Sequence, residues 1–222
     1  MEERKIVVPG ESIIEGNEYL PGDGTYRDKN DVVAGRYGLA DISGRLVKVI
    51  PLSGVYRPRT GNMIIGLVTD ITLNGWIVDL QGPMSGFLSL SEVPTFVNRG
   101  ELKEHFDFGD VIMAKVSDVK DRGIDLSVKL RGCGKLEDGM IIKVNSNKVP
   151  RVIGKEGSMV NLIKEATNCN IKIGQNGLIW IKGNDIEAEL RTKKVIDFIC
   201  ENSFVEGLTD KVKEFLESKD GQ

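Results

Sequence analysis

The stretch VPRVIGKEGSMVNLIKEATNCNIKI, residues 149–173, sets two glycines, Gly154 and Gly157, around Lys155 and Glu156. Met159, Val160, Leu162, Ile163 and Ala166 follow at helical spacing, so the second glycine stands at the mouth of a helix. A helix leaves its first N–H groups without internal partners, and its start carries partial positive charge. Glycine has no Cβ and tolerates unusual backbone angles, so a phosphate can come close there. Two short helices joined by Gly-x-x-Gly therefore make a backbone clamp for a nucleic-acid strand. Lys155 adds a mobile cation, Arg151 lies just before the turn, and Glu156 puts a carboxylate beside the phosphate path, which weakens binding. The strand CNIKI forms the opposite wall, with Ile171 and Ile173 as an apolar floor for bases.

Charge around this turn differs from that of the whole chain. The net charge is −3, which argues against coating nucleic acid by bulk electrostatics. Residues 143–172, however, carry six bases against two acids, a balance of +4, while residues 183–222 carry ten acids against six bases. The pattern is a small anion site beside an acidic tail helix. The 222 residues suffice for one large domain or two to three small ones. Only 6 % are aromatic, so Ile, Val and Leu must fill the core. The absence of any long apolar run argues against a membrane span, and the start MEERKIVVPGES has no signal-peptide core. Cys133, Cys169 and Cys200 are odd in number and far apart, which argues against zinc and a disulfide framework and for a cytoplasmic protein.

Outward from the glycine turn the chain reads as three regions. Residues 1–57 are β-rich, with short strands in KIVVPG, DVVAGRYGLADI and GRLVKVIPL and a polar loop at PGDGTYRDKND. Residues 58–131 hold five strands: NMIIGLVTDIT, GWIVDL, GFLSLSEV, FGDVIMAKVSDV and IDLSVKL. That number in so short a stretch fits a small closed barrel. KEHFDFG reads as a polar loop and GCGKLED, residues 132–138, as a linker. Residues 138–222 then read β-α-α-β-β-α, with a further amphipathic helix carrying Val205, Leu208, Val212, Phe215 and Leu216 that must dock on its own domain or on a partner. The fold class is mainly β with an α+β C-terminal domain.

The order β-α-α-β-β-α around VIGKEG resembles a KH domain, whose GxxG loop clamps about four nucleotides. GLVTDITLNGWIVDL, GFLSLSEV and FGDVIMAKVSDVKDRGIDLSVK resemble the OB-fold barrel named after ribosomal protein S-one. Such barrels stack bases on aromatic side chains of the second and third strands. Here Asn74, Ile77 and Ser89 align where the family often has two aromatics and a histidine, with Trp76 and Phe87 nearby. A charge-lined route past Lys120 and Arg122 in the last hairpin is therefore the expectation. With VVPGE, GDGTY and VVAGRYG ahead of them, the modules in this order resemble the RNA-binding cap subunits of the archaeal exosome. That resemblance implies single-stranded RNA as ligand. It also implies a trimer of caps on a hexameric ring of RNase-PH-like subunits that degrades RNA from the 3′ end.

Catalysis is not expected of the chain itself. His105, the one histidine, has no paired serine or cysteine motif, Asp70 and Asp79 fall on different strands, and no two-metal spacing or Walker pattern is present. No cofactor and no metal is expected. The other reading open to the sequence is a free-standing, translation-factor-like RNA binder. That type normally carries its barrel at the N-terminus, not after a β-rich region.

Overall fold

A computed structural model of the protein describes residues 5–98, 100–203, 205 and 207–217. The chain separates into two units, residues 1–54 and 55–222. In the first, β1 (Ile6–Val7), β6 (Gly38–Ser43), β7 (Leu46–Pro51) and β3 (Leu20–Pro21) form one sheet in that order. A second sheet runs β2 (Ser12–Glu15), β5 (Asp31–Ala34), β4 (Thr25–Asp28). Val7, Ala34, Ala40 and Val49 make a small core, with Ile13 packed against it. The polar loop expected at PGDGTYRDKND is partly strand. Thr25–Asp28 pairs antiparallel with the apolar β5 across a two-residue turn, Tyr26 opposite Val33, so the hairpin partner overrides weak propensity in the segment itself.

The second unit begins with the barrel. Its strands are β8 (Met63–Thr72), β9 (Gly75–Asp79), β10 (Gly86–Ser89), β11 (Val111–Lys120), β12 (Gly123–Ser127) and β13 (Gly134–Lys135). The order β12-β10-β9-β8-β11-β13 closes through an added β12–β11 pairing. Alternation decides which side chains go inside. Trp76, Val78, Leu88, Ile124 and Leu126 fill the interior, while Ile77, Phe87 and Asp125 point outward. KEHF is not a loop: Leu102–His105 form a short helix, α1, and Leu102 and Phe106 join the barrel core. GCGKLED is not a free linker either. Gly134–Lys135 pairs with β11 opposite Met113 and Ile112, and Leu136 is buried.

The rest of the unit has β14 (Met140–Lys143), α2 (Val149–Ile153), α3 (Ser158–Thr167), β15 (Asn170–Ile173), β16 (Leu178–Lys182) and α4 (Ile186–Glu201), the KH order. Its antiparallel sheet runs β14-β16-β15, which leaves β15 at an edge. Pro150 stands in the first turn of α2, where a missing N–H costs nothing. Asp185 caps α4 by accepting from the Ala188 N–H at 2.7 Å. The last helix, α5 (Leu208–Glu217), docks on its own module. Leu208, Val212 and Leu216 are buried with the KH core, and Phe215 stacks on Phe198 at 4.4 Å.

The barrel and the KH module are joined by the β15–β16 turn. Strand pairing between β8 and β9 ends at Leu67 opposite Asp79, so β8 runs on past the end of its neighbour. Gln175 and Asn176 take the vacant edge. The Gln175 N–H donates to Met63 O at 2.8 Å, and Gln175 Oε1 accepts from the Met63 N–H at 2.9 Å. Asn176 Oδ1 accepts from the Ile65 N–H at 3.3 Å, and its amide donates to Ile65 O at 2.7 Å and Leu80 O at 3.1 Å.

Candidate nucleic-acid interface

Each part of the GKEG turn has a structural reason. Gly154 ends α2 at φ 75°, ψ 175°, a region only glycine occupies readily, and its N–H closes on Pro150 O at 3.0 Å. A Cβ there would lie 2.6 Å from the Met159 backbone nitrogen. Gly157 is left-handed at φ 82°, ψ 9° and opens α3 with no side-chain cap, and of the first N–H groups of that helix the one of Ser158 turns back to Lys155 O. A Cβ on Gly157 would find nothing nearer than 3.8 Å. Glu156 is left-handed too, at φ 53°, an unusual backbone for a residue with a side chain.

The charged side chains here are all exposed: Arg151 in the last turn of α2, Lys155 and Glu156 within the turn. No acid lies in the first turn of α3, so Glu156 is the carboxylate nearest the helix start in sequence. The arrangement can hold a phosphate on backbone N–H groups with lysine and arginine beside it.

The opposite wall differs from the sequence expectation. Ile171 is 3 % exposed and belongs to the KH core, and Ile173 is partly buried against the same core. Both face the helices, as strand alternation requires of i and i+2. Ile171 therefore offers no open surface to a base.

On the barrel, Trp76 is fully buried, edge-to-face on Phe106, and its indole N–H donates to Phe106 O at 2.8 Å. Phe87 does reach the outer face, beside Ile77 on β9 and Asp125 on β12. Sequence reasoning left its direction open, although alternation with the apolar Leu88 was the available signal. Of the two hairpin cations, Lys120 is ion-paired with Asp125, whose hydrogen bond raises its pKa. Arg122 is exposed and has no ion pair among the described residues. The structure thus brings Arg151 and Lys155 to one turn and Lys120 and Arg122 to another. Among the described residues no group of three His, Cys, Asp or Glu could hold a metal ion, and no helix is long and apolar enough to cross a membrane.

Comparison with known proteins finds three families along the chain. The KH domain family matches residues 139–187, the S1 RNA binding domain residues 57–129, and the N-terminal region of the exosome complex exonuclease RRP4 residues 6–43. The exosome complex component Rrp4 of Methanothermobacter thermautotrophicus is 40 % identical over 99 % of this chain and 70 % of its own length. That of Methanothermus fervidus is 40 % identical over 97 % of this chain and 96 % of its own length. A crystal structure of a provisionally named exosome complex RNA-binding protein is 30 % identical, with a TM-score of 0.66, and covers 74 % of this chain and 96 % of its own. With relatives this similar along nearly its whole length, the chain belongs to the Rrp4 family of exosome complex components.

Proposed function

We propose that this protein is the RNA-binding cap of an exosome. It collects single-stranded RNA and guides the 3′ end into a ring of RNase-PH-like subunits, with three caps on one ring, in the cytoplasm. The observation that carries the reading is the order of modules in one chain: an exosome-type N-terminal region, an S1 barrel, then a KH module whose GxxG turn opens an uncapped helix start. The name shared by its relatives, exosome complex component Rrp4, supports it.

The N-terminal unit is the proposed ring contact. Of the apolar residues at its start, Val7 is core and Ile13 packs on the core, which leaves Val8 exposed. The outward row Ile6, Leu39 and Ile50 crosses β1, β6 and β7, with Leu20 opposite Leu46 beyond it. Ile6 and Leu20 are 55 % and 57 % exposed. Such a row suits an interface, which needs about 1,000 Å² or more to be stable. The cap itself is proposed to be non-catalytic. His105 is half-buried at the end of α1, and burial pushes the thiol of Cys133 up and that of Cys200 up to about 11, away from nucleophilic thiolate.

One mixing experiment tests the reading. The chain should co-elute with an RNase-PH-like ring, a version lacking residues 1–54 should not, and the isolated chain should leave RNA full length in phosphate and magnesium. Elution of the intact chain apart from the ring would instead indicate a free-standing binder.

RNA binding should be weak, tolerant of sequence and steeply salt-dependent. Each phosphate contact on a single strand contributes about −0.7 to the slope of log K against log salt. Replacing Lys155 and Arg122 together should flatten that slope by about one unit or more and weaken all sequences alike. An unchanged slope would rule out tracking of phosphates by these two side chains.

A further inference from the structure

The KH sheet packs on the barrel through its face away from the helices. Ile65, Leu136, Leu178 and Trp180 form the buried centre, with Val111 and Met113 against them. The charges around this junction fall into two sets. Lys135 pairs with Asp110 at 2.8 Å, and Lys182 with Asp138 at 3.0 Å. Lys115, Arg131 and Lys172 make no ion pair among the described residues.

The two lysines come from different strands and converge on residues 132–133, β11 passing there with Met113 opposite Gly134, and Arg131 is the residue just before them in the chain. Lys172 on β15 reaches across to donate to Gly132 O at 2.9 Å, next to Arg131 in sequence, and its ammonium stands 5.9 Å from the centre of the Trp180 ring. Burial raises the pKa of the neighbouring Cys133 thiol, while Lys172 and Lys115 both pull it down, which places both ammonium groups beside residue 133. Their cross-strand neighbours are neutral: Met63 and Ser127 flank Lys115, and Trp180 flanks Lys172.

We propose that Lys115, Arg131 and Lys172 form a phosphate subsite for single-stranded RNA at the barrel–KH junction, joining the two modules into one track. The proposal rests on the RNA-binding reading above. Three like charges without carboxylates repel one another, and a polyanion relieves that repulsion by releasing its own counterions. Lys172 is already held by a carbonyl and an aromatic ring, so less side-chain freedom is lost when a phosphate arrives. RNA is favoured over an acidic protein segment because the subsite lies between two RNA-binding folds, where a strand leaving one must cross to reach the other.

The test uses the full chain and two oligoadenylates, of about five and about 15 nucleotides; the shorter little exceeds the roughly four that a GxxG clamp covers. With Lys115, Arg131 and Lys172 all changed to Ala, the salt slope for the longer oligomer should fall by about two units, at about 0.7 for each lost contact. The short oligomer should change far less. Changing Lys115 and Lys172 to Arg should keep the slope, which separates charge from folding. Bound long RNA should also shield Lys115 and Lys172 of the wild type from acetylation, read by mass spectrometry. A triple variant with the wild-type slope, or lysines equally acetylated with and without RNA, overturns the subsite while leaving the RNA reading standing. Wild-type chain that binds neither oligomer overturns both. Shielding by polyglutamate but not by RNA would assign the cluster to an acidic protein instead.

Discussion

Replacing Asn176 by leucine should loosen the KH module from the barrel and lower stability by about 3 kcal/mol or more, since each buried polar group left unpaired costs about 1–3 kcal/mol. Asn176 is 7 % exposed, 111 residues in sequence from Ile65, and serves as the missing strand partner beyond the end of β9. Leucine can neither accept from the Ile65 N–H nor donate to the carbonyls of Ile65 and Leu80. No water can replace these bonds cheaply, because Asn176 and Ile65 are both buried and Ile65 packs in one core with Leu178 and Trp180. The space is tight as well: a Cβ on Gly174 would lie 2.3 Å from Asn176 Oδ1 and 2.7 Å from the Ile65 nitrogen. Denaturant unfolding gives the loss in stability, and hydrogen exchange at the Ile65 amide locates it. An unfolding midpoint that does not move, with the Ile65 amide still protected, would show that the apolar contacts alone hold the junction.

That junction marks the limit of what the sequence discloses. GQNG reads as a turn, and the left-handed φ of 91° at Gly177 agrees. Nothing local announces that the two middle residues of the turn complete a strand edge in another module. The same holds for GCGKLED, whose glycines look like a linker although Gly134–Lys135 pairs with β11. TYRD is a different case, a polar segment made into a strand by the apolar β5 that follows it across a two-residue turn. Local periodicity, by contrast, was legible. Alternation separated Trp76 from Ile77, and helical spacing gave α3 and the buried face of α5. At the candidate site the glycine turn was visible because it combines backbone chemistry with a fixed spacing. The inward direction of Ile171 was not, because a strand of four residues can turn either face to its helices until the sheet order is known. The ion pair that occupies Lys120 was equally hidden, since Asp125 comes alongside only when the β11–β12 hairpin closes.

The two glycines of GKEG should prove unequal. Gly154→Ala should cost about 2–3 kcal/mol, since a strained backbone costs on the order of 1–3 kcal/mol and here the new methyl also strikes main chain, 2.6 Å from the Met159 nitrogen. Gly157→Ala meets no neighbour inside 3.8 Å and carries only the left-handed penalty, about 1 kcal/mol. Binding should show the reverse emphasis. In the proposed binding mode a phosphate reaches the start of α3 through the open space at Gly157, and a methyl group there would obstruct that approach. Gly157→Ala should therefore weaken single-stranded RNA by about tenfold in protein that is still fully folded, a loss of about 1.4 kcal/mol in binding. Gly154→Ala should instead shift the unfolding midpoint first and lose RNA because the first turn of α3 has moved. Paired measurements on each variant, a denaturant curve and an RNA titration well below the unfolding transition, separate the two roles. Equal stability losses would mean that the contact between Gly154 and Met159 is relieved at little cost. Undiminished RNA binding by Gly157→Ala would mean that the strand does not enter over this glycine, and that the helix start is not where the phosphate sits.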